Sequence, residues 1–428
     1  MSAPVHAAVQ APEHAHLPRR VAVAVFLAFA VAYFFSALVR AITATLSPTL
    51  TQELGLSAKD LGLLAGGYFL GFSLTQLPLG RWLDRHGPKN VILAFLSVAV
   101  IGCLAFAAAD SFTGLLLARM LCGVGVSACL MAPLTGYRRW FDASAQLRTN
   151  SWMLMTGSLG MVSSTLPVQW LMPIWGWRPL FVALGVGMAL AMLLIFWIVP
   201  RWQKTSPSAL ATTPALAAQD DGSYGEIWRS RYFWRMTPIG FFSYGGLVAM
   251  QTLWAGPWMT QVAGWTPIQA ATGLFVINLS MLVAFWVWGW VTPGLAKRGI
   301  RANRLIAWGM PLNLLTFAAL VYAGPSVGDF AAAVLSVFCV TSTFVSLAQP
   351  AVGMAFPSHL AGRALSAYNL VIFAGVFVVQ WGIGLLVDFA MKCGLARVPA
   401  YQAAFAVFGV CSLLSWLYFL LNKADNET

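Results

Sequence analysis

A chain of 428 residues that is 59% apolar and only 9% charged is no water-soluble domain, where roughly 25% of residues carry charge. Its formal net charge of +12 would suit a nucleic-acid partner, yet the basic residues are sorted between alternate connections rather than gathered in one patch, so no nucleic acid is expected. Cys103, Cys122, Cys129, Cys339, Cys393 and Cys411 lie mostly inside apolar runs without C-x-x-C spacing, which argues against a disulfide framework or a zinc centre.

Twelve windows of about 20 apolar residues, the length that crosses ~30 Å of hydrocarbon, follow one another. They lie near 21–46, 60–82, 90–109, 112–136, 150–172, 177–199, 236–260, 268–292, 303–323, 329–355, 365–389 and 400–421, and define spans 1 to 12 of an all-α integral membrane protein. Residues 1–18 precede them as a polar tail. His6, His14 and His16 stand sparsely there among Ala and Pro, and read as part of that tail rather than as a metal site. The first apolar run is too long for a cleavable signal and lacks a convincing cleavage site, so it is expected to stay as span 1. With the N-terminus inside, the inner connections hold 19 Lys and Arg and the outer ones 4, while Arg40 and Arg119 fall within spans. By the positive-inside rule both termini are then cytoplasmic, in a membrane of the bacterial inner type.

Span 1 carries an anomaly. Arg40 sits inside an apolar run, where an arginine costs at least about 2.5–3.5 kcal/mol. Tyr33, Ser36, Arg40, Thr43 and Ser47 recur at spacings of three or four and so form one polar stripe. Lipid offers such a stripe nothing, so it faces a cavity or a partner helix. The preferred reading is a cavity cation that binds an anion; the other is an arginine that snorkels to the outer end, near Pro48 and Glu53.

Span 2 has Gly62, Gly66, Gly67 and Gly71 for close packing, with Tyr68 and Gln76 as its polar points. It leads into Gly80-Arg81-Trp82-Leu83-Asp84-Arg85-His86-Gly87-Pro88-Lys89, a tight basic turn with one carboxylate expected to be buried. A helix should end near Trp82–Leu83 and start again before Val91, with Gly80 and Gly87 allowing the reversal. The stretch resembles the loop G-x-x-x-D-[RK]-x-G-[RK]-[RK] of the major facilitator superfamily. Gly80, Asp84, Arg85, Gly87 and Lys89 match, and Pro88 departs by replacing a basic position. The resemblance implies twelve helices in two pseudo-symmetric six-helix bundles and alternating access to a cavity between them. It makes Asp84 a latch on the closed inner side, paired with Arg138 or Arg139.

In span 4, Arg119-Met120-Leu121-Cys122-Gly123 resembles a second motif of that family, R-x-x-x-G, whose arginine is linked to coupling. Span 5 lacks the G-P-x-x-G-G element of the proton-driven drug antiporters, which counts against drug efflux, the alternative function. Residues 200–234 read as a cytoplasmic linker with an Ala/Thr/Pro/Ser-rich middle, Thr205 to Ala218. It separates bundles at 19–199 and 235–422, and 423–428 close the chain as a short cytoplasmic tail. The second half repeats the first. Ser47 to Gly55 lines up with Gly256 to Gly264 at an offset of 209, and Gly289 to Gly299 is a worn copy of the signature turn.

Polar side chains in the later spans extend the candidate cavity: Tyr244, Gln251 and Trp254 in span 7, Asn278 in span 8, Asn369 in span 11. Each could equally be interhelical glue, since an unmet donor in an apolar run costs several kcal/mol. Acids are scarce within spans, with only Asp388 near a span end. That favours uniport or exchange, while Asp388 and Arg119 leave a co-transported proton open. Arg40 is similar to the helix-1 arginine of the superfamily's organophosphate:phosphate exchangers, which place a second arginine in helix 7. Here the repeat pairs Arg40 with Ala249, so that second cation is missing, and the resemblance implies a monoanionic carboxylate or a zwitterion rather than a phosphate. What is expected, then, is a monomeric transporter and not an enzyme, without cofactor or metal. Its substrate site would hold Arg40, Tyr33, Thr43, Tyr244, Gln251, Trp254, Asn278 and Asn369. Its gating set would be Gly80, Asp84, Arg85, Gly87, Lys89, Arg119, Arg138 and Arg139. No Walker-type G-x-x-x-x-G-K-[ST] run occurs to support ATP-driven work.

Overall fold

The computed structural model describes residues 17–201 and 224–422; the three tail histidines, the Thr205 to Ala218 stretch and Lys423 lie outside the described residues. All regular elements among the described residues are helical. Span 1 is one helix, α1 (Arg19–Leu54), which runs through Pro48 and stops at a left-handed Gly55. Span 2 is α2 (Ala58–Leu74) continued by the first part of α3 (Gln76–Ala108), whose part beyond Gly87 is span 3. The expected stop at Trp82–Leu83 is missed by a turn. Helix continues through Asp84, Arg85 and His86 and breaks at Gly87, whose φ of 77° and ψ of 160° suit glycine alone. On that extra turn Asp84 is exposed, with Arg85 and His86, where burial was expected.

Span 4 is α4 (Phe112–Val126) with α5 (Ala128–Trp140), span 5 is α6 (Ala143–Ser163) with α7 (Leu166–Trp175), and span 6 is α8 (Trp177–Ile198). A short α9 (Tyr224–Arg229) precedes span 7. Span 7 is α10 (Arg231–Pro238), α11 (Gly245–Ala249) and α12 (Ala255–Gln261), joined by two π-helical turns, Ile239–Tyr244 and Met250–Trp254. Spans 8 and 9 are α13 (Pro267–Lys297) and α14 (Ala302–Ala323). Span 10 is α15 (Ala331–Ser342) and α16 (Ala348–Ala355) around a 3₁₀ turn, and spans 11 and 12 are α17 (Ser358–Lys392) and α18 (Arg397–Leu421).

Among the described residues eight stretches are long and apolar enough to cross a membrane, and one of them, Ala302–Ala355, holds spans 9 and 10. Spans 2, 5 and 7 are interrupted, at Thr75, at Ser164–Thr165 and by the π turns, and are not among the eight. Together they make twelve. Trp197 and Trp290 are each 78% exposed and Tyr322 92%, a surface that suits lipid and not water.

The internal repeat has a backbone signature. Gly55 (φ 62°) and Gly264 (φ 73°) end corresponding helices, and Gly87 (φ 77°) has its counterpart in Gly299 (φ 74°) in the worn copy. One apolar core draws mainly on spans 1 to 6, and two others mainly on the second half. The halves meet chiefly along spans 2 and 11. Gly66 lies under the Phe377 ring, and the Phe72 and Phe373 rings are 4.3 Å apart. Spans 1 and 7 touch where Gly256 sits 2.8 Å, at an ideal Cβ, from the Ala44 carbonyl oxygen.

Candidate functional site

Arg40 lies about 5 Å from the midpoint of α1 along its axis, at 1.5 Å per residue. Its side chain does not escape to a helix end. It is half-buried, its Nε is buried without a hydrogen-bond partner, and among the described residues it forms no ion pair. Tyr68 of span 2, Tyr33 two turns away on α1, and Tyr244 at the end of the first π turn of span 7 lie within its electrostatic reach. Tyr33 is 6% exposed and packs on Gly157 of span 5. Tyr68 is fully buried, with its hydroxyl 3.5 Å from the Ser36 carbonyl oxygen. A planar guanidinium with three tyrosines within electrostatic reach, one supplied by the second half, can hold an oxyanion by its fork while phenolic hydroxyls help fix its orientation. Thr43 continues the same face and is buried.

Arg119 also lies close to Tyr68. Its guanidinium is 5.1 Å from the Tyr68 ring, and its Nη1 donates to the carbonyl oxygen of Val39, the residue before Arg40, at 3.0 Å. Nε and Nη2 are buried without partners. Two cations therefore lie near Tyr68 in the first half, and no carboxylate of the described ion pairs reaches either.

The amides expected in the cavity are engaged with one another. Gln251 Nε2 donates to Asn278 Oδ1 at 3.0 Å, and Asn278 Nδ2 donates to the Leu274 carbonyl oxygen at 2.9 Å. Trp254 is fully buried and its indole donates to the Gln380 carbonyl oxygen at 3.1 Å. Asn369 accepts from Gln349 at 2.6 Å and donates to Gln76 of span 2 at 3.5 Å, so it links the halves. In this conformation these side chains tie spans together, and a solute would reach them only after the ties open. Asn278→Ala, which strands the Gln251 amide, is expected to cost about 1–3 kcal/mol of stability in thermal unfolding and to leave substrate affinity within about twofold. A large affinity loss at unchanged stability would instead put the pair in the substrate site.

At the signature turn, a Cβ on Gly80 would meet only Ser366 Oγ of span 11, at 3.8 Å. Lys89 does not face water freely. Its Nζ donates to the Val199 carbonyl oxygen at 2.7 Å, closing the end of span 6, and burial, then nearby Arg201, lower its pKa. Arg138 is exposed, and the Arg139 side chain lies outside the described residues.

Residues 29–379 match the family model described as Major Facilitator Superfamily. The chain belongs to the major facilitator superfamily. It is 25% identical over 363 residues to a probable L-galactonate transporter of Escherichia coli strain K12, covering 80% of this chain and 74% of that one. It is 25% identical over 419 residues to the hexuronate transporter of the same strain, covering 91% and 92%. The crystal structure of a D-xylose-proton symporter superposes with a TM-score of 0.75 at 13% identity, over 95% of this chain and 99% of that one. As a member of this superfamily the chain is an integral membrane transporter of small molecules and not an enzyme.

Within the superfamily frame, Tyr68 is the side chain beside Arg40 that the spacing of span 1 did not reveal. A lone tyrosine beside Gly66 and Gly67 was its signal, because glycines let span 4 approach so closely that a Cβ on Gly123 would fall on the Tyr68 carbonyl oxygen.

Proposed function

We propose that this transporter moves a small organic anion or zwitterion of carboxylate type by alternating access between two six-helix bundles, 19–199 and 235–422. Arg40 binds the negative group, and Tyr33, Tyr68 and Tyr244 orient it. The observation that carries this reading is Arg40 itself, a mid-helix guanidinium with a buried, unpartnered Nε among three tyrosines. A cation without a protein counter-ion at such depth is costly unless a ligand supplies the charge. The names of the L-galactonate and hexuronate transporters, both organic anions, support the same substrate class. Arg119 positions the Val39–Arg40 turn and Tyr68. Asp84 and its loop latch the inner side, in a bacterial inner membrane with both termini cytoplasmic.

The test is a thermal-shift screen of the purified protein against anionic, zwitterionic and cationic compounds of similar size. A ligand at about 100 times its Kd adds roughly 2.7 kcal/mol of stability. Saturable stabilisation by monocarboxylates or amino acids is expected. Stabilisation by cationic amphipaths alone would replace this reading with drug efflux.

A further inference from the structure

The bundle end away from the Gly80–Lys89 turn is the outer one on the positive-inside reading. Span 2 begins there. A helix start leaves its first N–H groups without intrahelical partners. Two of them are met locally by a capping box, in which Asp60 N–H donates to Ser57 Oγ and Ser57 N–H donates to an Asp60 carboxylate oxygen, both at 3.2 Å. The other two are met from the opposite half. Ala58 N–H donates to Asp388 Oδ1 at 3.2 Å and Lys59 N–H to Oδ2 at 3.0 Å. Asp388 thus sits on the positive end of the span 2 dipole with both oxygens bound. One turn earlier on span 11, Gly384 leaves no room for a Cβ above the Ala58 carbonyl, which brings the two backbones together.

Water reaches this carboxylate. Asp388 is half-buried and lines a cavity of about 410 Å³, together with Ser47, Gln52, Ser57 and Tyr401. The charged and titratable groups facing it are few. Span 2 contributes Lys59, paired with Asp60 at 3.9 Å; span 12 contributes Tyr401 and Arg397, the latter held by Gln261 at 2.8 Å; Lys392 follows on its own helix. Among the described residues no other acid lines the cavity.

We propose that Asp388 is the outer latch between the two halves. Its carboxylate accepts two charge-assisted hydrogen bonds across the interface and complements the helix dipole. Removing that charge by substitution weakens both bonds and releases the latch. The outer end then parts along spans 2 and 11, whatever the substrate. Asp388 acts as a positioning residue, since it sets access without touching the solute.

The experiment reads the outer end directly and needs no substrate, so its outcome is separate from the proposed anion specificity. Spin labels are placed at Thr113→Cys and Ser326→Cys, exposed positions outside spans 2 and 11, in a Cys393→Ser background. Their distance is measured by pulsed EPR in lipid nanodiscs. In the parent protein the short distance should dominate. Asp388→Asn, which lacks the charge, should shift the population to a longer distance, while Asp388→Glu, which keeps it, should retain more of the short one. An Asn variant whose distances match those of the parent overturns the proposal. A thermal melt of each variant confirms that the distances come from folded protein.

Discussion

Arg40→Ala is expected to weaken carboxylate binding by about 2–5 kcal/mol, or roughly 30- to 4,000-fold in Kd, as for loss of one member of a desolvated charge pair. Arg40→Lys keeps the charge but loses the planar fork, and should cost about tenfold. The measurement is ligand-induced thermal stabilisation in parallel with uptake into proteoliposomes. The two variants separate binding from folding. Arg40 forms no ion pair among the described residues and its Nε has no partner, so its removal strands no protein carboxylate. The apo melting temperature should therefore hold or rise, because a half-buried cation without a protein counter-ion has been removed. An affinity unchanged by the lysine substitution takes Arg40 out of the site, and the substrate class argued from it falls as well.

That arginine was legible because its signal is local. Polar residues three and four apart on one apolar helix are visible in a string of letters, and the cost of an intramembrane guanidinium gives them meaning. The partners are not local. Tyr68 meets Arg40 through glycine packing between spans 2 and 4, and Tyr244 arrives from the second half on a π turn that widens span 7. π turns often accompany functional sites, yet their hydrogen-bond shift has no residue signature comparable to the glycine at Gly87. For the same reason the sequence could rank Gln251, Asn278 and Asn369 as polar but could not say that their amides are spent on one another and on Gln76. Hydropathy gave all twelve spans, since each is a run of composition. It blurred their ends where a helix continued past its apolar stretch, as in α1 beyond residue 46 and in α3 through Asp84.

Gly62→Leu should cut transport at least about tenfold while sparing substrate affinity, because it acts where the halves touch and not where the solute binds. An ideal Cβ at Gly62 would lie 2.5 Å from the Gln380 carbonyl oxygen of span 11 and 3.3 Å from the Trp254 ring. That carbonyl already accepts the Trp254 indole, and Gln380 Nε2 donates to Thr252 Oγ1 at 2.9 Å, so the acceptor is held on both sides and cannot step back. A side chain of leucine size then has to push spans 2 and 11 apart. Overpacking of this kind costs about 1–3 kcal/mol or more, and the cost falls only on the conformation in which these backbones are in contact. Conformations of a carrier differ by only a few kcal/mol, so a one-sided penalty of this size depletes the closed outer end by roughly an order of magnitude or more. Arg40 and its tyrosines lie nearer the middle of the bundle and keep their geometry. Uptake rate and equilibrium binding, measured on the same preparation, should therefore part company, with Gly62→Ala falling between the parent and the leucine variant. Equal losses of rate and affinity would mean that the contact of Gly62 with Gln380 persists in both access states, and that the outer end opens elsewhere.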